Sequence, residues 1–477
     1  MNDYTDLVCG DDCTSTGDDR SDGSVAHLDG SPLADDATTS AGDGAPGGGG
    51  DALAGDDTST DGAALGDDVS SPGDDASPLG DDASPPGSDA SPSGDAASND
   101  GGDGGTSPAP DGSSCTPYAV PPSVNVDATQ WASNFASSPS WSCTASGTTT
   151  IDSKAGTVTS TSCALGTLDV TNGVSQTSGG PSVMVVRLGG LKITNNHTLK
   201  LQGDKPVVLL VAGNVLVDLG GRIDASAAGT TAGPGGNVAA NCAGSTGANS
   251  GQTASGGGGG GFSTAGGYGD GIGGGNASGG GASSDADLQP LRGGCGGGTG
   301  GNGAGAAGAG GGAFEISASG TITIGTSSNG AILSAGGGGS PAVTSGQNVG
   351  SGGAGSGGGI LLVSPAAATL GSAGAIRAHG GGSGGAQGCS CNPETSADNG
   401  QDGHSADDKA ASGGGSNDAN GAAGASGGLC SGNGCATTSS SGNHGTPASA
   451  PNSGSGGGGG GGRVSVITGA TTTGGCN

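Results

Sequence analysis

Glycine sets the terms on which this chain can fold. It fills 117 of the 477 positions, and each glycine loses more backbone freedom on ordering than any other residue. Only 30% of the chain is hydrophobic and 2% aromatic, so a thick packed core is not available over most of its length. Whatever order exists must rest on dense backbone hydrogen bonding.

Charge divides the chain. Residues 1–112 hold 26 Asp and one base, Arg20, which leaves 16 acids and 10 bases for the remainder of a chain of formal net charge −31. The polyanionic first quarter repels nucleic acid and anionic lipid, and no Lys/Arg stripe is present to neutralise phosphates, so nucleic acid is rejected as a partner. Twelve cysteines in a chain with five lysines fit an oxidising compartment. Residues 1–30 carry no basic and apolar leader pattern, and no stretch approaches the ~20 apolar residues of a membrane span. Cys9, ahead of an Asp/Gly-rich tether, stands where a bacterial lipoprotein places its lipidated cysteine. The hypothesis is that the true start lies upstream of Met1, although Leu7 and Val8 are not the small residues expected before such a cysteine.

Four segments follow from composition. Residues 1–114 read as a disordered Asp/Gly/Ser/Pro-rich stalk, because they hold too little apolar surface to offset ordering entropy. A seven-residue unit recurs in it, as in Ser77-Pro-Leu-Gly-Asp-Asp-Ala83 and Ser84-Pro-Pro-Gly-Ser-Asp-Ala90, with no consistently apolar position and therefore no coiled coil. Residues 115–182 hold Tyr118, Trp131, Phe135 and Trp141 beside Thr-rich runs at 148–151 and 157–161, a small β cap in which Cys143 and Cys163 could be stapled. Residues 183–230 form a ladder of short strands at 183–188, 191–194, 198–202, 206–211, 214–218 and 222–225, spaced as in a stacked sheet or solenoid. Residues 231–477 are glycine-rich with strand pairs at intervals.

Those pairs recur as a unit. Asn214-Val-Leu-Val with Gly221-Arg-Ile-Asp-Ala is answered by Ala313-Phe-Glu-Ile with Gly330-Ala-Ile-Leu, and by Gly359-Ile-Leu-Leu-Val with Gly374-Ala-Ile-Arg; Arg463-Val-Ser-Val-Ile closes the series. A unit too small to bury its own apolar face must stack on its neighbours. The glycine tracts between units have two readings: mobile loops, or extended three-residue-per-turn helices of polyproline II type packed side by side, which need hydrogen-bonded neighbours. The flanking strands favour partial order. Together these imply an all-β fold, a short-strand β-solenoid or parallel β-helix-like stack with polyglycine-type segments behind an acidic stalk. Its aliphatic seam would comprise Val207, Leu209, Val211, Val215, Val217, Ile316, Ile322, Ile324, Ile360 and Leu362.

In texture the run from Leu191 to Ser226 and the Gly-Gly-Gly-Ile-Leu-Leu-Val and Gly-Gly-Arg-Val-Ser-Val tracts resemble glycine-rich, PGRS-type bacterial cell-surface proteins and solenoid adhesins. The likeness covers about residues 183–470. It implies a shaft displayed outside the cell, and it carries no catalytic residues to transfer.

Apparent catalytic and metal motifs are weak. Gly381-Gly-Ser383-Gly-Gly385 and Gly424-Ala-Ser426-Gly-Gly428 match the nucleophile elbow, but in so glycine-rich a chain about one serine in sixteen does so by chance. None of Lys154, Lys192, Lys200, Lys205 and Lys409 follows a glycine, so no phosphate loop exists. The calcium-like runs at Gly266–Gly271 and Asp398–Lys409 each miss a required ligand position. Cys389-Ser-Cys391 and Cys430–Cys435 lack zinc spacing; Cys430 with Cys435 is read as a disulfide. Asp218 and Asp224 on adjacent strands are the best candidates for glycosidase chemistry, with solvated turn aspartates as the simpler reading.

The sequence therefore points to an exported cell-surface or extracellular structural or adhesive protein with no catalytic activity and no cofactor or metal. Its contact would be cell envelope, matrix or polysaccharide. The alternatives are a polysaccharide-acting β-helix enzyme and a largely disordered scaffold.

Overall fold

The computed structural model describes residues 120–469 apart from 136, 238–239, 251–252, 272–274, 283–286, 304, 343–348, 387–396, 404–408, 416–441 and 444–453. The described residues are mostly strand and extended chain, with only three short 3₁₀ turns. The stalk, Cys9, Cys430, Cys435 and Ser426 lie outside them.

The strands run, in chain order, β1 (Ser140–Cys143), β2 (Gly147–Asp152), β3 (Thr157–Ser160), β4 (Val170–Val174), β5 (Val183–Leu188), β6 (Gly190–Ile193) and β7 (His197–Gln202). Next come β8 (Val207–Val211), β9 (Val215–Val217) and β10 (Arg222–Asp224), then a two-residue hairpin of β11 (Asn249–Ser250) and β12 (Thr253–Ala254). The series ends with β13 (Ala313–Ala318), β14 (Ile322–Ile324), β15 (Gly330–Leu333), β16 (Gly359–Ser364), β17 (Ala368–Leu370), β18 (Gly374–Arg377) and β19 (Arg463–Thr468).

Apart from that hairpin, three sheets collect them. Sheet 1 is β1-β6-β9-β14-β17, sheet 2 is β18-β15-β10-β7-β2-β3, and sheet 3 is β19-β16-β13-β8-β5-β4. Each pass of the chain, β5-β6-β7, β8-β9-β10, β13-β14-β15 and β16-β17-β18, gives one strand to sheet 3, one to sheet 1 and one to sheet 2. Successive passes pair in parallel. β3 and β4 join antiparallel at one end of sheets 2 and 3.

This arrangement alters the repeat read from the sequence. The unit is three strands rather than two, and Val207–Val211, not Asn214–Val217, is the register partner of Ala313–Ala318; Val215–Val217 pairs with Ile322–Ile324. Both candidate strands are aliphatic, and only the burial of each face tells them apart. Sheet 3 strands β5, β8, β13 and β16 are buried at every position, whereas β6, β7 and β9 alternate.

Two cores account for that difference. One lies among the three sheets and contains all ten residues of the expected seam, together with Trp141, Met184, Phe314 and Ile376. The other covers the outer face of sheet 3, where Val185, Val208, Leu210 and Leu361 meet Val126, Trp131 and Phe135 from the preceding segment and Phe262, Leu288 and Leu291 from a later one.

The described parts of the long glycine-rich segments fall at one corner. Residues 225–312, 334–358 and 378–462 each run from a sheet 2 strand to the next sheet 3 strand, where the pass β7 to β8 needs only a short turn. They bond to each other, and residues 350–358 show how. Ser351, Ala354 and Gly357 donate their amides to Gly454, Gly457 and Gly460; Gly352, Gly355 and Gly358 donate to Ser340, Gly337 and Ser334; Gly350, Gly353 and Ser356 donate to Gly301, Gly298 and Cys295. These nine bonds span 2.8–3.2 Å. The same tract accepts bonds from Gly257 and Gly260, from Gly308 and Gly311, and from Gly381 and Gly384, so six chains surround it. A donor direction that returns every third residue is the period of an extended three-per-turn helix.

Glycine is required here for approach rather than for a left-handed backbone. A Cβ at Gly355 would run into the Ala309 carbonyl oxygen, one at Gly353 into that of Gly258, and one at Gly258 into that of Ser278.

Candidate functional site

The lattice absorbs several side chains that looked chemical in the sequence. Ser383 is fully buried and its Oγ donates to the Gly456 carbonyl oxygen at 2.6 Å, so this hydroxyl braces two tracts and faces no solvent. Asp402 accepts from the amides of Gly229 (2.9 Å) and Gly338 (2.7 Å), and Asp270 from that of Gly271. Their carboxylates terminate or cross-link glycine chains whose amides would otherwise be unmet. Among the described residues no group of three or more His, Cys, Asp or Glu could hold a metal ion.

The carboxylates Asp218 and Asp224 sit in different settings. Asp218 follows β9, is 4% exposed, and accepts from the amides of Leu219, Ser327 and Ser328 and from Thr326 Oγ1. Burial alone would raise its carboxyl, but the bonds from Ser328, Leu219 and Ser327 outweigh burial and hold it at about 2. It ties the turn after β9 to the turn after β14. Asp224 lies on β10 and accepts from the Ser226 amide at 3.0 Å.

Cys143 and Cys163 are joined, which ties the end of β1 to the chain leaving β3. A second disulfide, Cys242–Cys295, links two glycine tracts and was not foreseen from the sequence, since their spacing offers no cue.

The outer face of sheet 3 is closed by buried polar groups that sequence reasoning also missed. Glu315 on β13 is fully buried; Asn125 Nδ2 donates to its Oε2 at 2.9 Å. Desolvation pushes its carboxyl above the ordinary value against the pull of that bond. Asn125 and Gln176 both receive the Leu291 amide, at 3.1 and 2.7 Å, and Gln176 Nε2 donates to the Leu291 carbonyl at 2.9 Å. Arg187 pairs with Asp169, donates to Thr171 Oγ1 at 2.9 Å and lies 5.1 Å from the Trp131 ring centre. Three separated segments are thereby pinned to one sheet.

The outward faces of sheets 1 and 2 are only partly covered. In each Gly-Xaa-Ile-Xaa strand the isoleucine, Ile223, Ile332 or Ile376, points into the core, so the residues on either side of it face outward. These are Arg222 and Asp224 on β10, Ala331 and Leu333 on β15, and Ala375 and Arg377 on β18, in register across sheet 2; all are half-buried except Leu333, which is covered completely. At the sheet 1 corner of this face lies a groove of about 500 Å³ whose lining includes Arg222, Arg377, Asn329, Ser372, Ala331 and Ala375. The alanines give it a low floor, and the arginines border it. The sequence marks these strands by their repeat, with no sign of which side chains face outward.

No protein-family model, curated protein or solved structure matches this chain.

Proposed function

We propose that this is an exported cell-surface or extracellular protein with a structural or adhesive role and no catalytic activity. Its ordered part is a β-solenoid of three-strand coils with polyglycine II-type helices stacked at one corner, held out behind an acidic stalk. The observation that carries this reading is the consumption of the glycine tracts in their own hydrogen-bonded lattice, which makes a rigid body out of residues that have almost no side chains for chemistry. Two disulfides among the described residues suit an oxidising environment. Among those residues no helix is long and apolar enough to cross a membrane; lipidation at Cys9 is the means of attachment proposed.

Limited proteolysis of intact expressing cells, followed by mass spectrometry of released and retained fragments, tests this directly. Release of a protease-resistant fragment beginning near Cys115 is the expected result. A chain untouched in intact cells and accessible only after lysis would overturn the surface location.

A further inference from the structure

We propose that the groove on the outer face of sheet 2 binds a linear acidic saccharide, a chain of carboxylated sugars running across the strands. Arg222 and Arg377 would meet its carboxylates, and Asn329 and Ser372 its hydroxyls. The proposal rests on the surface-contact reading above and deepens it by naming the ligand class.

Charge placement is the first argument. The groove lining holds Arg222 and Arg377 and no acid, while the outward positions of sheet 2 as a whole carry Lys200, Arg222 and Arg377 against Asp152 and Asp224. A groove of local positive charge on an acidic molecule selects anions that can reach it at short range and discourages indiscriminate binding of polyanions. Arg222 and Arg377 stand two strands apart and two residues along. At strand spacings of about 4.8 Å and a rise of about 3.3 Å per residue, that places their Cα atoms ~12 Å apart. Each planar guanidinium can take a carboxylate through paired N–H donors.

Shape is the second argument. Ala331 and Ala375 share the row of Arg222, and their methyl groups leave a trough bordered by the two arginines. Asn329 and Ser372 add amide and hydroxyl groups to the lining, the donor and acceptor types that read sugar hydroxyls. The lining has no large apolar side chain, which argues against an apolar small molecule or a peptide anchored by its side chains. Nucleic acid would need many more neutralised phosphates and stacking aromatics than this face supplies.

The test is isothermal titration of the full chain at low ionic strength with three probes: an oligogalacturonate, the same oligosaccharide methyl-esterified, and a poly-Glu peptide of equal charge. Binding is expected for the oligogalacturonate alone, weakening as salt is raised. Arg222→Gln with Arg377→Gln should lower affinity at least tenfold in a chain that still unfolds cooperatively, and Arg222→Gln alone should lower it partially. Asn329→Ala should weaken binding while leaving the salt dependence as it is. Absence of oligogalacturonate binding by the unaltered chain, equal affinity in the folded double variant, or equal binding of poly-Glu would each overturn the proposal. None of these outcomes bears on the cell-proteolysis result, and an intracellular chain that still binds the saccharide would remove the surface reading while leaving the groove assignment standing.

Discussion

At the scale of single residues, Gly355 separates the two physical pictures of a glycine tract. In a mobile loop, Gly→Ala stabilises by about 0.4–1 kcal/mol, because alanine leaves the unfolded chain less freedom to lose. In the packed lattice the added Cβ meets the Ala309 carbonyl oxygen, and forcing atoms into a filled space costs about 1–3 kcal/mol. The sign of the change is therefore diagnostic. Gly355→Ala is expected to lower the denaturant midpoint, and a raised midpoint would argue for a loop. Two carboxyl groups act in opposite directions with pH. Asp218 is held at about 2, below its unfolded value near 3.9, so its contribution is present above pH 4 and is lost as pH falls toward 2. That contribution is about 2 kcal/mol, and Asp218→Asn should flatten the acid limb of the stability curve. Glu315 is shifted upward by burial. Its contribution is complete below the unfolded glutamate value and declines as pH rises toward the folded one. Glu315→Gln keeps a partner for Asn125 and should make thermal stability at neutral pH higher than that of the native chain, read by calorimetry across pH 4–8.

At the scale of elements, the strands from Val183 to Asp224 were legible in the sequence because aliphatic and β-branched runs alternate with Gly, Asn and Asp turns. The expected boundaries at 183–188, 198–202 and 206–211 lie within a residue of β5, β7 and β8. β14 and β17 were not delimited as strands: Ile322 and Ile324 were legible as seam residues, but Ile322–Ile324 and Ala368–Leu370 are three residues long and stand apart from the continuous ladder that made the equally short β9 and β10 recognisable. The tracts' neighbours were not legible either, since chains without side chains offer nothing by which one stretch specifies another. What fixes Gly355 beside Gly337 rather than a different glycine is the anchoring of each tract between a sheet 2 strand and a sheet 3 strand. For the groove, the Gly-Xaa-Ile-Xaa strands are legible as a repeat, but nothing in so short a run says which of its side chains face outward. Legibility also fails at covalent ties, because Cys242–Cys295 joins tracts whose adjacency only the lattice creates. The end bearing β3 and β4 depends on the other tie. Replacing Cys143 and Cys163 together by serine should cost about 2–4 kcal/mol, and hydrogen exchange should then rise in β1 to β3 and not in β13 and β16.

At the scale of the whole molecule, the described residues combine two kinds of order: apolar cores among the three sheets and on the outer face of sheet 3, and a lattice of backbone bonds at one corner. The sheets are a condition for the lattice, since each tract returns to a fixed strand. An unpaired charge in the seam should therefore dismantle both. Leu209→Asp buries a carboxylate with no partner, at a cost of several kcal/mol, and tract and strand protection should disappear together in that variant. The central claim, that the glycine tracts are an ordered hydrogen-bonded body, is tested most directly by native-state amide hydrogen exchange across residues 350–358 in the unaltered chain. Protection equal to that of β13, lost only on global unfolding, is the expected result. Exchange of those amides at the rates of an unstructured chain, with β13 still protected, would contradict it.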